Sequence, residues 1–114
     1  MPPQIDSQRI PSLLAADVAR TLGESLLPNV AEIAANAREV ALEPDARTAS
    51  EAQEFFDSKV VGDFQQFVHD EFIDVTWPAC PLHQRHPLDF DHSHTAWRCP
   101  ANGQLVTALG TLPS

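Results

Sequence analysis

The sequence lacks any apolar run that approaches the roughly 18–20 residues of a membrane-spanning helix. Its first ten residues, MPPQIDSQRI, also lack the basic start and the apolar stretch of a secretory signal. These absences argue against a helical membrane protein and against an exported one. We therefore expect a cytoplasmic protein that makes no membrane contact.

Basic residues are scarce. The chain has 7 lysines and arginines against 16 aspartates and glutamates, which gives a formal net charge of −9. A field of this sign repels phosphate backbones and so disfavours nucleic acid as a partner. Arg85 and Arg98 alone would make a poor basic patch.

The common sequence signatures of enzymes are missing as well. There is no P-loop, no G-x-G-x-x-G, no G-x-S-x-G and no H-E-x-x-H. The zinc deaminase pattern requires H-x-E and P-C-x-x-C, which the stretch PACPLH does not supply. We therefore favour a protein without catalytic residues.

What the chain does have is the length of one domain, 114 residues, and a hydrophobic content of 43%, which argues against wholesale disorder. A chain of this length can bury a hydrophobic core, but a bound structural metal would add appreciably to its stability. We predict one compact α+β domain: a flexible arm at 1–10, a helical part at 11–77 and a β part at 78–114. The boundary near Pro78 follows from the frequent prolines and histidines after it.

Apolar periodicity predicts three helices. The first starts with Pro11 in its first turn and stops at Gly23, and the second opens at Pro28 and ends before Pro44. The third begins at a capping box formed by Thr48 and the glutamate three residues later.

The third helix carries an aromatic stripe at helical spacing: Phe56, Val60, Phe64, Phe67 and Val68. Such a stripe is typical of a core. The part that carries Phe56, Phe64 and Phe67 is also a candidate homodimer seam. Gly62 within this helix would mark either a close helix contact or a bend.

Both cysteines and four of the five histidines lie in CPLHQRHPLDFDHSHTAWRC, which runs from Cys80 to Cys99. In a cytosolic chain such a cysteine pair is more often a metal site than a disulfide. A disulfide between the two cysteines remains an alternative if the protein is secreted, but it would not explain the nearby histidines. Cys80 and His83 are spaced so that one tight turn, with Pro81 inside it, can present both side chains to one ion.

A second turn follows Cys99, where Pro100 comes next and Gly103 tolerates a positive φ. The elements CPLH and CPANG resemble the two knuckles of a zinc ribbon, over about residues 80–109. A complete second knuckle would place a ligand where this chain has Asn102, which leaves the fourth ligand open. The pattern WPxCPxH…HPL…WxCP is also similar to one in small uncharacterised bacterial proteins, which supplies no function.

The stretches HPLDF and TAWRC read as two strands joined by the turn DHSH, and GQLVTALGTL reads as a third strand that closes a three-stranded ribbon. The predicted cross-strand pairs are Phe90 with Thr95, Leu88 with Trp97 and His86 with Cys99. Opposed residues share a face, so this register predicts His86 as the fourth ligand.

His92 and His94, the remaining histidines of the stretch, would lie four strand residues from the ion. At about 3.3 Å per residue this is a distance of roughly 13 Å. They and water stay open as alternatives for the fourth position. Asp89, Asp91, His92 and His94 could also hold a second, exposed metal. A solvated and pH-responsive polar turn is the better interpretation of these four residues.

The predicted metal ligands are Cys80, His83, His86 and Cys99, a set of two thiolates and two imidazoles that suits Zn²⁺. The predicted function is a non-catalytic, acidic adaptor that binds a protein partner and carries a structural zinc. One alternative is a metal-dependent hydrolase in which Asp89 acts as a base. The other is a nucleic-acid-binding zinc ribbon, which the net charge disfavours.

Overall fold

The computed structural model describes residues 5–43, 48–72, 76–81 and 86–113. Its helices are α1 (Arg9–Thr21), α2 (Leu27–Leu42) and α3 (Ala49–Glu71), with a short 3₁₀ turn at Glu24–Leu26. Its strands are β1 (Asp89–Asp91), β2 (Ala96–Arg98) and β3 (Leu105–Ala108), in an antiparallel sheet of order β1-β2-β3. Over these ranges the chain therefore has the predicted α+β architecture, and none of the described helices is both long and apolar enough to cross a membrane.

The first helix starts two residues before Pro11, within the segment that was predicted as an arm. Asp6 explains the earlier start, because its Oδ1 accepts the backbone N–H groups of Gln8 and Arg9, each at 3.0 Å. These two hydrogen bonds, of which the one from Gln8 counts most, lower the pKa of Asp6. The predicted end is confirmed, since the helix stops before Gly23, whose φ is 98°.

The capping box of α3 is confirmed. Thr48 Oγ1 accepts the backbone N–H of Glu51 at 3.1 Å, and Glu51 Oε1 accepts the backbone N–H of Thr48 at 3.2 Å. Two of the N–H groups that a helix start leaves without a helical partner are satisfied in this way. The second helix also starts as predicted, with Pro28 in its first turn.

Edge-to-face aromatic contacts join α3 to the sheet. The ring of Phe64 lies 5.3 Å from that of Trp77, which in turn lies 5.7 Å from that of Trp97, and both pairs meet at 80°. Helices and strands thereby share one hydrophobic core.

Phe56 and Phe64 have no exposed surface, whereas Phe67 is half-buried. The aromatic stripe therefore packs into the hydrophobic core of a single chain, as predicted. The homodimer through this helix stays a prediction, and of these three side chains Phe67 is the one with surface to offer it. Gly62 does not mark a close helix contact, because a Cβ there would meet no atom within 4 Å.

The predicted register of the first hairpin was wrong by two residues. The observed pairs are Asp89 with Arg98, Phe90 with Trp97 and Asp91 with Ala96. The loop is therefore 92–95 instead of the predicted 91–94, and Thr95 ends it in a left-handed conformation with φ 49°. A shift by an even number preserves the face of every residue, so Leu88, Trp97 and Cys99 are all fully buried.

A buried carboxylate joins α1 to the sheet and to the chain segment after β3. Asp17 Oδ2 accepts Trp97 Nε1–H and the backbone N–H of Gly110, and its Oδ1 accepts the backbone N–H of Leu112, all at 2.8 Å. Arg20 Nη2 donates to Oδ1 at 3.1 Å. Hydrogen bonds to a charged acceptor are among the stronger ones in proteins. This carboxylate therefore contributes strongly to the packing of α1 against the sheet.

Replacing Asp17 by Asn should lower the free energy of unfolding by about 2–4 kcal/mol, because the new NH₂ group would point at buried N–H donors. Urea unfolding followed by tryptophan fluorescence measures the loss. The matched control is Asp63→Asn, which breaks the half-exposed ion pair with Lys59 and should cost about 0.5 kcal/mol or less. A D17N protein within about 1 kcal/mol of the wild type would contradict this role of Asp17.

Candidate metal site and its surroundings

The structure brings the two cysteines together. Cys80 and Cys99 are reduced and have no exposed surface, and the side chain of Cys80 lies in hydrogen-bonding contact with that of Cys99. One cysteine precedes β1 and the other directly follows β2. The described residues contain three of the four predicted ligands, Cys80, His86 and Cys99, and the two thiols are the pair that the structure brings into contact.

A short backbone ladder holds the loop after Cys80. The backbone N–H of Cys80 donates to the carbonyl of His86 at 3.1 Å, and that of Leu88 donates to the carbonyl of Pro78 at 2.7 Å. This ladder places His86 beside Cys80. His83, the predicted second ligand, belongs to the segment 82–85, which lies outside the described residues.

His86 is opposite Cys80 in this ladder, and its side chain is exposed. The following residue, Pro87, forms a β-bridge with Ala79 at a position that requires no N–H from the proline. The extended geometry predicted for His86 from its place before a proline stays a prediction. The predicted pairing of His86 with Cys99 is wrong, because its backbone partner is Cys80.

The turn after Cys99 is a tight hairpin. The backbone N–H of Cys99 donates to the carbonyl of Gln104, and that of Gly103 donates to the carbonyl of Cys99, both at 2.8 Å. The φ of Gly103 is 74°, as its place in the turn predicted. Asn102, at the position where a complete knuckle carries a ligand, accepts the backbone N–H of Gln104 through its Oδ1 at 2.9 Å. The side chain of Asn102 therefore has a structural task in this turn.

Backbone N–H groups of the same turn point at the sulfur of Cys99. Burial has the largest influence on this thiol and raises its pKa, as does the nearby charge of Asp89. The N–H groups of Asn102 and Ala101 and the side chain of Cys80 outweigh both, so the pKa of Cys99 is below its ordinary value. N–H donors of this kind stabilise a thiolate, the form of cysteine that binds metals.

The chemistry of these donors fits zinc, which binds thiolates. Within the described ranges, which omit His83, no group of three or more His, Cys, Asp or Glu side chains that could hold a metal ion is present. The prediction of a zinc site depends on the thiol pair and on the backbone hydrogen bonds beside each thiol. The histidine ligands stay predictions.

The two histidines of the hairpin loop contact carboxylates. His92 Nε2 is hydrogen-bonded to Asp57 Oδ2 on α3 at 2.9 Å, and His94 Nδ1 lies 3.2 Å from Asp91 Oδ2. Asp91 also accepts the hydroxyl of Ser93 at 2.7 Å, and this bond is the largest influence on its pKa, which falls to about 2. The loop is thus a set of local contacts, with one histidine turned toward the helices.

Asp57 is a second buried carboxylate that the sequence analysis did not single out. It is 2% exposed, and its Oδ1 accepts Gln53 Nε2–H at 2.8 Å. Burial is the main cause of its raised pKa, and the bonds from Gln53 and His92 oppose it. Asp17 and Asp57 both interrupt the apolar face of a helix, which is the sequence signal that could have found them.

No protein-family model, curated protein or solved structure significantly matches this chain. The likeness to a zinc ribbon therefore depends on this chain's own turns and thiols.

Asp57→Asn should change the pH dependence of stability. The raised pKa means that the folded state holds the proton more tightly than the unfolded state, so this group's contribution to stability is lost as pH rises through the folded pKa. The free energy of unfolding of the wild type should therefore increase relative to D57N as pH falls from neutral toward 3.8, the ordinary value.

Urea titrations of both proteins at a series of pH values measure this difference. The double variant D57N/H92Q, compared with H92Q, removes the titration of His92 from the comparison. A difference between wild type and D57N that stays constant over the range would show that the pKa of Asp57 is not raised.

Proposed function

We propose that this chain is a small zinc-binding adaptor in which Cys80, His83, His86 and Cys99 hold one structural Zn²⁺. The observation that carries the proposal is the buried contact between the two thiols, whose residues are both held by backbone hydrogen bonds. Two thiolates and two imidazoles form a common closed set for structural zinc.

The size of the sheet supports a structural role for the metal. Its strands contain 3, 3 and 4 residues, and sheets this small have little stability of their own. A metal held by residues on both sides of β1 and β2 would tie the two cysteines to each other. Its binding free energy would then add to the folding free energy of the domain.

The surface charge supports a basic protein partner. The net charge is −9, and the acidic residues Glu51, Glu54, Asp70 and Glu71 are all exposed along α3. Such a field attracts a positively charged surface and repels nucleic acid, so the nucleic-acid alternative is the weakest of the three.

One observation favours the hydrolase alternative. Asp89, its candidate base, is close enough to Cys99 to raise the pKa of that thiol. It also lines a cleft of about 510 Å³ together with Gln65, Gln66 and His69 on α3. In this alternative His86 does not bind the metal, and Asp89 acts as a general base beside an open site.

Protein purified without a histidine tag should contain one zinc per chain, and Cys80→Ser or Cys99→Ser should remove it, because zinc in such a site depends on thiolate ligands. Elemental analysis measures the content, and zinc K-edge absorption identifies the ligands. His83→Gln and His86→Gln should each weaken binding. The matched control is His94→Gln, which removes an exposed histidine bonded to Asp91 and should leave the zinc content unchanged.

Two sulfur and two nitrogen ligands would support the structural site and direct the search to basic protein partners. An oxygen ligand in place of one nitrogen would favour the hydrolase alternative. Wild-type protein without any metal would overturn both.

A further inference from the structure

A cavity of about 590 Å³ lies between the end of α1, the segment before Cys80, β3 and the chain after β3. We call it the Trp77 cavity, and its main apolar lining residues are Leu22, Trp77, Pro78, Leu88, Val106 and Leu112. Its volume lies within the roughly 300–1,000 Å³ that small-molecule sites occupy. The cleft beside Asp89 shares Thr76 and Trp77 with it but is otherwise lined mostly by polar residues of α3 and by Asp89.

The Trp77 cavity carries no charge in its described lining. Two of its three threonine hydroxyls are already in use: Thr21 Oγ1 accepts Trp77 Nε1–H at 2.9 Å, and Thr107 Oγ1 bonds Thr111 Oγ1 at 2.5 Å. The third threonine, Thr76, offers the cavity a single polar group. A charged ligand would be buried here without a counter-ion, which is costly. The lining therefore matches an uncharged ligand with few polar groups.

The walls of the cavity are held from behind by fixed contacts. Trp77 packs edge-to-face between Phe64 and Trp97. On the opposite wall the backbone N–H of Leu112 donates to the buried Asp17 carboxylate at 2.8 Å. A ligand would therefore enter a preformed space and would not have to order its walls, which favours binding.

We propose that the Trp77 cavity binds a neutral, mostly apolar small molecule. This site needs no ligand of the proposed metal centre, so it stands whether or not the chain holds zinc.

The test uses a pair of probes that differ in charge, 2-naphthalenemethanol and the anion 2-naphthoate. Each is titrated into ¹⁵N-labelled wild-type protein and followed by amide and indole NMR shifts. The neutral probe should shift the signals of Trp77, Val106 and Leu112, with a dissociation constant of about 1 mM or tighter. The anion should bind at least about tenfold more weakly, because its charge finds no partner in the lining.

Two neighbouring substitutions in β3 separate the cavity from the surface. Val106→Phe adds volume inside the cavity and should weaken binding of the neutral probe by about tenfold or more. Leu105→Phe is the matched control, since Leu105 is 47% exposed and does not line the cavity, and its affinity should stay within about twofold of wild type. If V106F does not fold, Ala79→Phe at the exposed rim replaces it.

No shifts at the highest soluble concentration of the neutral probe would overturn the proposal. The same holds for shifts that map instead to the groove between α1 and α2, which is lined by Pro11, Ala15 and Val30. Equal binding of the two probes, or a folded V106F that binds as well as wild type, would also overturn it.

Discussion

The carboxylate of Asp17 is the contact on which the rest of the arrangement depends. It lies without exposed surface on α1 and receives N–H groups from β2 and from the chain after β3. A charge placed there without these donors would cost more than the helix could recover by packing. Sheet and helices are therefore held in one relative position, and the aromatic contacts of Trp77 fill the space between them.

The two cysteines meet because this position is fixed. The backbone N–H of each cysteine is bonded to a carbonyl five or six residues further on, while the sheet between the two cysteines is very short. The packing of Leu88 and Trp97 against the helices sets the distance between the two cysteines. A metal bound at this point would therefore stabilise an arrangement that the hydrophobic core has already outlined.

Local signals predicted much of the fold. The capping box at Thr48, the stop at Gly23 and the turn at Gly103 depend on nearest neighbours, and all three are confirmed. Strand register depends on long-range packing, and here the loop geometry at Thr95 moved it by two residues. Asp17 takes its N–H partners from β2 and the chain after β3, and Asp57 takes His92 from the hairpin loop, so composition and periodicity could not assign these partners. For the predicted metal site, the clustering of cysteines and histidines placed both thiols in one site, and the structure brings the thiols into contact. The histidine ligands depend on side-chain positions that sequence spacing does not determine and stay predictions.

The N–H partners of Asp17 in β2 and beyond follow it by 80, 93 and 95 positions. A chain that grows from its N-terminus exposes α1 long before those donors exist. Until then the carboxylate is best left in water, because burying it without partners is costly. A premature collapse of the apolar face of α1 is thereby penalised, and the core closes fully only when the segment beyond β3 has been synthesised. One acidic side chain thus makes closure of the core conditional on the synthesis of the segment up to Leu112.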